Sequence, residues 1–362
     1  MTRDVTGKLT RRGLLGLAAG TGALAVMGQG AARAQGVATS ARIVILGAGA
    51  AGAALANRLV RRLEGAQVTI VDGRIEHWYQ PGFSLIAAGL KPAGYSVSRT
   101  TDWLPSGVTL KQDWAAGIDP DARRVSLAGG ETLDYDYLIV ATGLVLDYDA
   151  IEGFDLEMVG REGLGSLYAG PEYAARTWKA AAHYVEEGGV GLFTRPATEM
   201  KCAGAPLKHT FLIEGIARER ETRGKLDITY MANNASLFGV PIVSEKVRML
   251  FGQRGIGAEY DRVLQSVDIG AKRATFTTPD GVEERDYDYL HVIPPQRAPE
   301  VVRQSGLSWA DRWTDQGWVE VDRHSLRHLR YPEVFAVGDV AGVPKGKTAA
   351  SVKWQVPVVE EQ

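Results

Sequence analysis

The sequence predicts an α/β protein made of two related halves, and three observations lead to this fold class. A glycine-rich turn, Gly47-Ala-Gly-Ala-Ala-Gly52, separates an apolar strand from a helix-forming segment. Residues 131–143 recur, with substitutions, as residues 283–295. The chain has 362 residues and is 45% hydrophobic, whereas single cores stop growing near roughly 250 to 300 residues. Two domains, each with a parallel sheet, are therefore expected.

Composition narrows the range of partners. The formal net charge is -2 and the lysines and arginines are scattered, so no basic face is expected and nucleic acid is not predicted as a partner. Cys202 is the single cysteine and cannot form a disulfide within the chain. The fold must therefore be stable by packing alone.

Residues 1–34 resemble a twin-arginine export signal. Thr10-Arg-Arg-Gly-Leu-Leu15 opens an apolar stretch that runs to about Met27, and Ala32-Arg-Ala34 offers small residues for cleavage. A membrane anchor is the alternative, but the stretch is glycine-rich and shorter than the roughly 20 residues that span a bilayer. Export of a folded, cofactor-loaded protein to the periplasm is predicted, with possible peripheral membrane contact.

The first half, residues 35–150, begins with a nucleotide-binding pattern. Residues 42–46 and 68–71 have the composition of buried strands, and residues 50–63 that of a helix. Gly47 permits the tight turn, Gly49 lets the backbone approach a pyrophosphate, and Gly52 lets the helix pack on the strand. Asp72 ends the second strand, where an acid fits a ribose hydroxyl. The pattern predicts a Rossmann-like dinucleotide-binding domain.

The second half, residues 151–295, shares this plan without the nucleotide residues. The strand at residues 189–193 is followed by Thr194-Arg-Pro-Ala-Thr-Glu-Met-Lys-Cys202, with a proline and bulky side chains in place of glycines. The strand at residues 226–231 is followed by no carboxylate for a ribose. We expect an inserted nicotinamide-type domain that has lost its nicotinamide site and carries Cys202.

Residues 296–362 are predicted to return to the first domain. A short buried strand ends in Gly338-Asp339, and an acid there can bind the ribitol hydroxyls of a flavin, which favours FAD over NAD. Residues 345–352 have the pattern of a helix start, whose dipole favours negative charge on a reduced flavin ring. No metal site is predicted, because His324 and His328 lack a third ligand.

Taken together, residues 42–359 resemble the sulfide:quinone oxidoreductases and the flavin subunit of flavocytochrome c sulfide dehydrogenase. Both have two Rossmann-like domains of the disulfide reductase type. The segment Lys201-Cys-Ala-Gly-Ala-Pro206 is the most specific match. The other matching stretches are residues 47–52, 78–82, 89–90, 141–143, 237–241, 293–295, 337–339 and 347–350.

The resemblance implies a two-electron oxidation of sulfide by a pair of cysteines beside FAD. Cys202 matches the cysteine that donates to the flavin, and Lys201 and Lys208 are expected to stabilise its thiolate. The motifs and the resemblance together assign cofactor binding to Gly47, Gly49, Gly52, Asp72, Pro81, Thr142, Gly143, Pro294, Gly338, Asp339 and Lys347.

Two departures from the family pattern concern the partner cysteine. Some relatives carry it just after the Gly-Asp pair, where this chain has Val340 and Ala341. Others carry it beyond the region that matches residues 347–359, but this chain stops at Gln362. The expectation is that the C-terminal part of the fold, which completes the quinone pocket and membrane anchor in relatives, is truncated.

Three functions remain open at this point. The first is an exported FAD enzyme that oxidises sulfide and reduces quinone at the membrane. The second is the flavin subunit of a sulfide dehydrogenase that passes electrons to a c-type cytochrome. The third is a flavin-binding protein without catalytic activity, in which the cysteine relay has been lost.

Overall fold

The computed structural model describes residues 36–362. The predicted export signal, residues 1–34, lies outside the described residues. Within the described part no helix is both long and apolar enough to cross a bilayer.

A five-stranded parallel sheet forms the centre of the first half. Its middle strand, Arg42–Leu46, is apolar after its first residue and buried, as expected for a parallel sheet covered on both faces. The return strand Tyr137–Val140 pairs with it. In spatial order the strands are Val334–Ala336, Tyr137–Val140, Arg42–Leu46, Gln67–Val71 and Val108–Lys111.

The second half contains a five-stranded parallel sheet of the same plan. In spatial order its strands are Leu164–Gly165, Tyr289–His291, Gly189–Thr194, Leu226–Met231 and Gly257–Glu259. The strands of the first sheet come from residues 42–140 and 334–336, and those of the second from residues 164–291. Neither predicted domain boundary, after residue 150 or after residue 295, therefore cuts a sheet.

The repeated segments occupy equivalent positions in the two sheets. Tyr137 pairs with Ile43 in the first sheet, and Tyr289 pairs with Gly191 in the second. In each copy the aspartate before the return strand accepts a hydrogen bond from a backbone N–H at the start of the central strand. This bond is 2.7 Å between Asp136 and Arg42 and 2.8 Å between Asp288 and Val190. The duplicated acids thus join two strands in each sheet.

Antiparallel strands precede each return strand. The three-stranded sheets are Ala115–Asp119, Arg124–Leu127 and Thr132–Asp134 in the first half, and Val263–Asp268, Arg273–Thr278 and Gly281–Asp286 in the second. Two antiparallel two-stranded pairs are Glu76–Trp78 with Val97–Arg99 and Val145–Leu146 with Gln296–Arg297. A parallel pair joins Val37–Ala38 and Leu63–Glu64.

The α-helices cover the two parallel sheets. In chain order they are α1 (Ala50–Arg62), α2 (Phe83–Ile86), α3 (Pro171–Glu187), α4 (Ala205–Glu219), α5 (Pro241–Arg254), α6 (Glu300–Arg303) and α7 (Ala349–Glu361). Helix α7 packs on α1, and its Val352 and Val356 belong to the core of the first sheet. A separate cluster that includes Phe83, Met200 and Ile293 packs between the two halves, with Cys202 at its margin.

Candidate functional site

The glycine turn of the first half is a tight junction between strand and helix. Gly47 has a φ of +103°, and a Cβ atom there would lie 2.5 Å from the carbonyl oxygen of Ala141. A Cβ atom on Gly52 would lie 1.9 Å from the carbonyl oxygen of Gly47. Neither position tolerates a side chain. At Gly49 the nearest atom to such a Cβ is Nη2 of Arg74, at 3.9 Å, so the backbone is open on this side to a ligand.

Asp72 is buried beside the glycine turn, where it contacts the backbone and an arginine. The residue is 3% exposed and does not line the cavity beside the turn. One carboxylate oxygen, Oδ2, accepts a hydrogen bond of 2.7 Å from the backbone N–H of Ala48. Both oxygens also accept hydrogen bonds from Arg74. The carboxylate therefore braces the turn and orients an arginine, and its contact with a ribose hydroxyl stays a prediction.

A cavity of about 540 Å³ runs from the glycine turn to Cys202. Both halves contribute to its wall. The predicted positions that line it are Gly49, Pro81, Thr142, Gly143, Lys201, Cys202, Lys208, Gly338, Asp339 and Lys347. Gly47 and Gly52 lie behind the wall and shape the turn. Trp78 and Tyr79, whose role the sequence leaves open, also face this cavity.

Pro294, like Gly47, Gly52 and Asp72, does not line the cavity. It follows the buried return strand Tyr289–His291 and is itself buried. The nearby Gln296 accepts a hydrogen bond of 2.8 Å at its side-chain Oε1 from the backbone N–H of Lys201. This stretch thus supports the cysteine loop, and the predicted approach of Pro294 to the cofactor stays a prediction.

Cys202 is half-buried and is held by its backbone from both halves of the fold. Its N–H donates to the carbonyl oxygen of Lys347 at 2.6 Å. The hydroxyl of Tyr168 donates to the carbonyl oxygens of Lys201 and Cys202, at 2.8 and 2.9 Å. Cys202 has a φ of +45°, an uncommon conformation for a residue with a side chain. These hydrogen bonds stabilise that conformation of the loop backbone.

Three charged groups lie in the wall of the cavity that Cys202 also lines: Lys201 and Asp339, which are half-buried, and Lys347, which is buried. Burial lowers the pKa of Lys201 and that of Lys347 to about 8 each, and the charge of Asp339 opposes this shift. Burial raises the pKa of Asp339, and the two lysines act against that change. The ammonium group of Lys347 donates to the carbonyl oxygens of Asp339 and Ala341 and lies 3.7 Å from the centroid of the Trp318 ring.

The cavity is suited to an anionic ligand. Its lining includes the cations Arg74, Lys201, Lys208 and Lys347, against the acids Glu76 and Asp339. Burial lowers the pKa of His77, so its imidazole is neutral near pH 7. Among residues 36–362 no group of three or more histidine, cysteine or acidic residues is arranged to hold a metal ion.

Sequence reasoning missed two residues of this site. Arg74 follows the strand-ending acid by two positions, and the spacing alone does not show that the two side chains pair. Tyr168 has no local motif, because its hydroxyl reaches carbonyl oxygens more than 30 residues along the chain.

The second half has no cradle equivalent to the glycine turn. Its first strand ends at Thr194 and α4 begins at Ala205, so residues 195–204 stand where residues 47–49 make the turn in the first half. Pro206 lies near the start of α4 and has no backbone N–H. It therefore cannot donate a hydrogen bond to a phosphate at this helix N-terminus. The loop therefore presents a thiol instead of a phosphate site.

Comparison with known proteins identifies the family. The profile described as "Pyridine nucleotide-disulphide oxidoreductase" matches residues 41–165. The mitochondrial sulfide:quinone oxidoreductase of Mus musculus is 35% identical over 321 residues, which are 88% of this chain and 69% of the mouse protein. The chain belongs to the sulfide:quinone oxidoreductase family. The counterpart from Dictyostelium discoideum is 33% identical, over 88% of this chain and 69% of its own length.

The fold is also that of a solved sulfide:quinone oxidoreductase. The crystal structure of the enzyme from Aquifex aeolicus superposes with a TM-score of 0.75 at 21% identity, covering 89% of this chain and 76% of that one. Sulfide:quinone oxidoreductases are FAD-binding flavoproteins. The open backbone at Gly49 and the cationic lining fit such a dinucleotide.

Proposed function

We propose that this chain oxidises sulfide at Cys202 beside FAD and passes the electrons to a quinone. The observation that supports this most is that the thiol of Cys202 and the glycine turn share one cavity. Bound FAD would supply a two-electron acceptor. Gly49, Thr142, Gly143, Gly338 and Asp339 would hold the cofactor from the first half, and Pro81, Lys201 and Lys347 would approach it near the thiol.

The cations beside Cys202 would attract the hydrosulfide anion and stabilise negative charge on sulfur. Lys201 is tied to Gln80 by a hydrogen bond of 2.8 Å, which holds its ammonium at the wall of the cavity. Lys208 is exposed at the rim and would act at longer range. Because Lys201 has a pKa of about 8, the attraction weakens as the pH rises through that value.

Anaerobic addition of sulfide to the purified FAD-loaded protein tests the proposal. The flavin absorbance should bleach with sulfide and not with NADH or NADPH, since the second half lacks a nucleotide cradle. Rapid bleaching by a nicotinamide would contradict the assignment. A flavin that sulfide does not reduce would favour the non-catalytic alternative.

The electron acceptor requires its own measurement. Relatives named sulfide:quinone oxidoreductase support quinone, and c-type cytochrome is the alternative partner. After reduction by sulfide, the flavin should be reoxidised by decylubiquinone much faster than by ferricytochrome c. The reverse order of rates would assign the chain to a cytochrome-linked sulfide dehydrogenase.

We further propose that the protein is exported to the periplasm and contacts the membrane surface peripherally. The twin-arginine pattern at residues 10–15 supports export, and a quinone acceptor requires access to the bilayer. Replacing the arginine pair by lysines, R11K with R12K, should retain the protein in the cytoplasmic fraction. Unchanged periplasmic recovery of this variant would rule out that route.

A further inference from the structure

The ion pair between Asp72 and Arg74 lies beside the glycine turn. Support of the turn by Asp72 does not by itself explain why Arg74 is placed there. Asp72 is buried, whereas the side chain of its partner Arg74 is 39% exposed and lines the cavity. A carboxylate that only braced the turn would need no more than its bond to the N–H of Ala48. The second partner is a cation placed at the surface of the proposed FAD site.

The guanidinium of Arg74 is held in a fixed plane. Its Nε lies 3.0 Å from Oδ1 of Asp72, and its Nη2 lies 2.8 Å from Oδ2. The backbone N–H of Arg74 donates to the same Oδ1 at 2.9 Å. Such a two-point contact orders a long side chain before any ligand arrives. Binding to this guanidinium therefore loses little further conformational entropy.

The fixed guanidinium lies at the phosphate end of the cavity. Its Nη2 is the nearest atom to a Cβ atom built on Gly49, at 3.9 Å. Gly49 caps the N-terminus of α1, where free N–H groups favour a phosphate. The hydrogen bonds of Arg74 to side chains within residues 36–362 use Nε and Nη2, so Nη1 can donate to a ligand.

We infer that Arg74 contacts a phosphate of the ADP half of FAD, and that Asp72 positions this arginine instead of binding a ribose hydroxyl. A planar guanidinium suits phosphate oxygens because it donates two N–H groups in parallel. The site would thus owe its specificity for a diphosphate to Arg74 acting together with the glycine turn. The inference rests on the proposed FAD site and adds a residue to it.

Equilibrium binding of FAD, ADP and adenosine to the full chain tests this contact. The chain is stripped of flavin and first shown to rebind it. Arg74→Gln should raise the Kd for FAD and for ADP by about tenfold or more, which corresponds to ~1.4 kcal/mol. The Kd for adenosine, which lacks phosphates, should stay within about twofold of the original value.

Two further variants separate a direct contact from an indirect effect. Arg61→Gln removes an exposed arginine in the last turn of α1 that does not line the cavity, and it should leave every Kd unchanged. Asp72→Asn keeps Arg74 charged, so the weakening of ADP binding by salt should persist. In Arg74→Gln that salt dependence should decrease, since the charge itself is gone.

An ADP affinity that Arg74→Gln leaves within twofold of the wild type overturns the inference, as does an equal loss of affinity for adenosine. Should the glutamine variant not fold in a thermal melt, Arg74→Lys takes its place. The lysine keeps the charge without the planar fork, so severalfold weaker ADP binding supports the contact and unchanged binding contradicts it. A wild-type chain that does not rebind FAD would instead contradict the proposed function.

Discussion

The two halves of the molecule share one sheet plan and differ in the loop after the central strand. In the first half residues 47–49 make a tight glycine turn into α1, and in the second half residues 195–204 form a longer loop into α4. The return strands pair in the same register, and both begin with an aspartate bonded to the central strand. Packing thus preserves the sheets, whereas the chemistry of each half resides in its loop.

Removal of the Cys202 thiol should have the largest effect, because the loop of the second half would then lack its reactive group. Cys202→Ser keeps the loop backbone, whose hydrogen bonds do not use the side chain, and takes away the nucleophile. Reduction of the flavin by sulfide should slow by at least about a thousandfold. The stopped-flow rate of flavin bleaching measures this. FAD content should match the wild type, and a Ser variant that is still reduced quickly would move the chemistry away from this loop.

The second largest effect should come from one added methyl group, which should destabilise the glycine turn of the first half far more than the loop of the second half. In Gly52→Ala the new Cβ would lie 1.9 Å from the backbone oxygen of Gly47, so the turn must shift at a cost of about 3 kcal/mol. FAD binding should be lost with it. Gly204→Ala, before α4, meets no atom closer than 4.0 Å and should change stability by less than about 0.5 kcal/mol.

Urea denaturation and FAD titration of both variants provide the measurement. Equal destabilisation of Gly52→Ala and Gly204→Ala would show that the second loop is as tightly packed as the first. The difference between the halves would then not lie in turn geometry.

A buried histidine pair in the second half, which has no counterpart in the first copy of the repeat, should add to the loss of stability in acid. His291 stands where the first copy has Ile139, and its ring lies 4.3 Å from that of His209. Burial lowers the pKa of His209 to about 3 and holds that of His291 well below its ordinary value. Both histidines are neutral in the folded protein and take up protons on unfolding, so stability falls as the pH drops below 6.5.

Each such histidine should lower the free energy of unfolding by ~2 kcal/mol at about pH 5. His291→Ile, which copies the residue of the first half, should flatten the dependence of stability on pH in urea melts. His183→Gln, at an exposed position, serves as the control and should leave the slope unchanged. An unaltered slope in His291→Ile would show that the pair does not govern acid sensitivity.

The smallest expected effect concerns the duplicated aspartates. Asp288 bonds the N–H of Val190, while Asp136 bonds the N–H of Arg42 and also its guanidinium. Asp288→Ala should cost ~1 kcal/mol, and Asp136→Ala slightly more, because its additional ion pair is exposed and adds little. Urea melts of the two variants test this. A cost at one position only would show that the two copies no longer use this contact alike.

The strands of the two parallel sheets could be predicted from the sequence, because the patterns that mark them lie within short stretches of the chain. The central strand and the start of α1 lie where the glycine pattern predicts them, and the strand at Leu226–Met231 has the predicted bounds. The repeat also predicted the pairing of the return strands. Buried apolar runs and glycines that accept no side chain are readable without knowledge of the three-dimensional structure.

The missed parts of the site depend on contacts between distant segments. Arg74 bonds both carboxylate oxygens of Asp72, a pairing that nothing in the sequence shows. Pro294, which the resemblance places near the cofactor, is buried beside its strand. The hydroxyl of Tyr168 supports the cysteine loop from another segment. Side-chain orientation of this kind is decided by tertiary packing, which a single sequence does not encode locally.

The backbone hydrogen bond from the N–H of Cys202 to the carbonyl oxygen of Lys347 joins the cysteine loop of the second half to the segment of the first half that leads into α7. A hinge motion that separated the halves would break this bond and withdraw the sulfur from its partners. Substrate must therefore enter while the halves stay together, through the mouth of the existing cavity. The bond thereby keeps the thiol in the wall of a single cavity that both halves line.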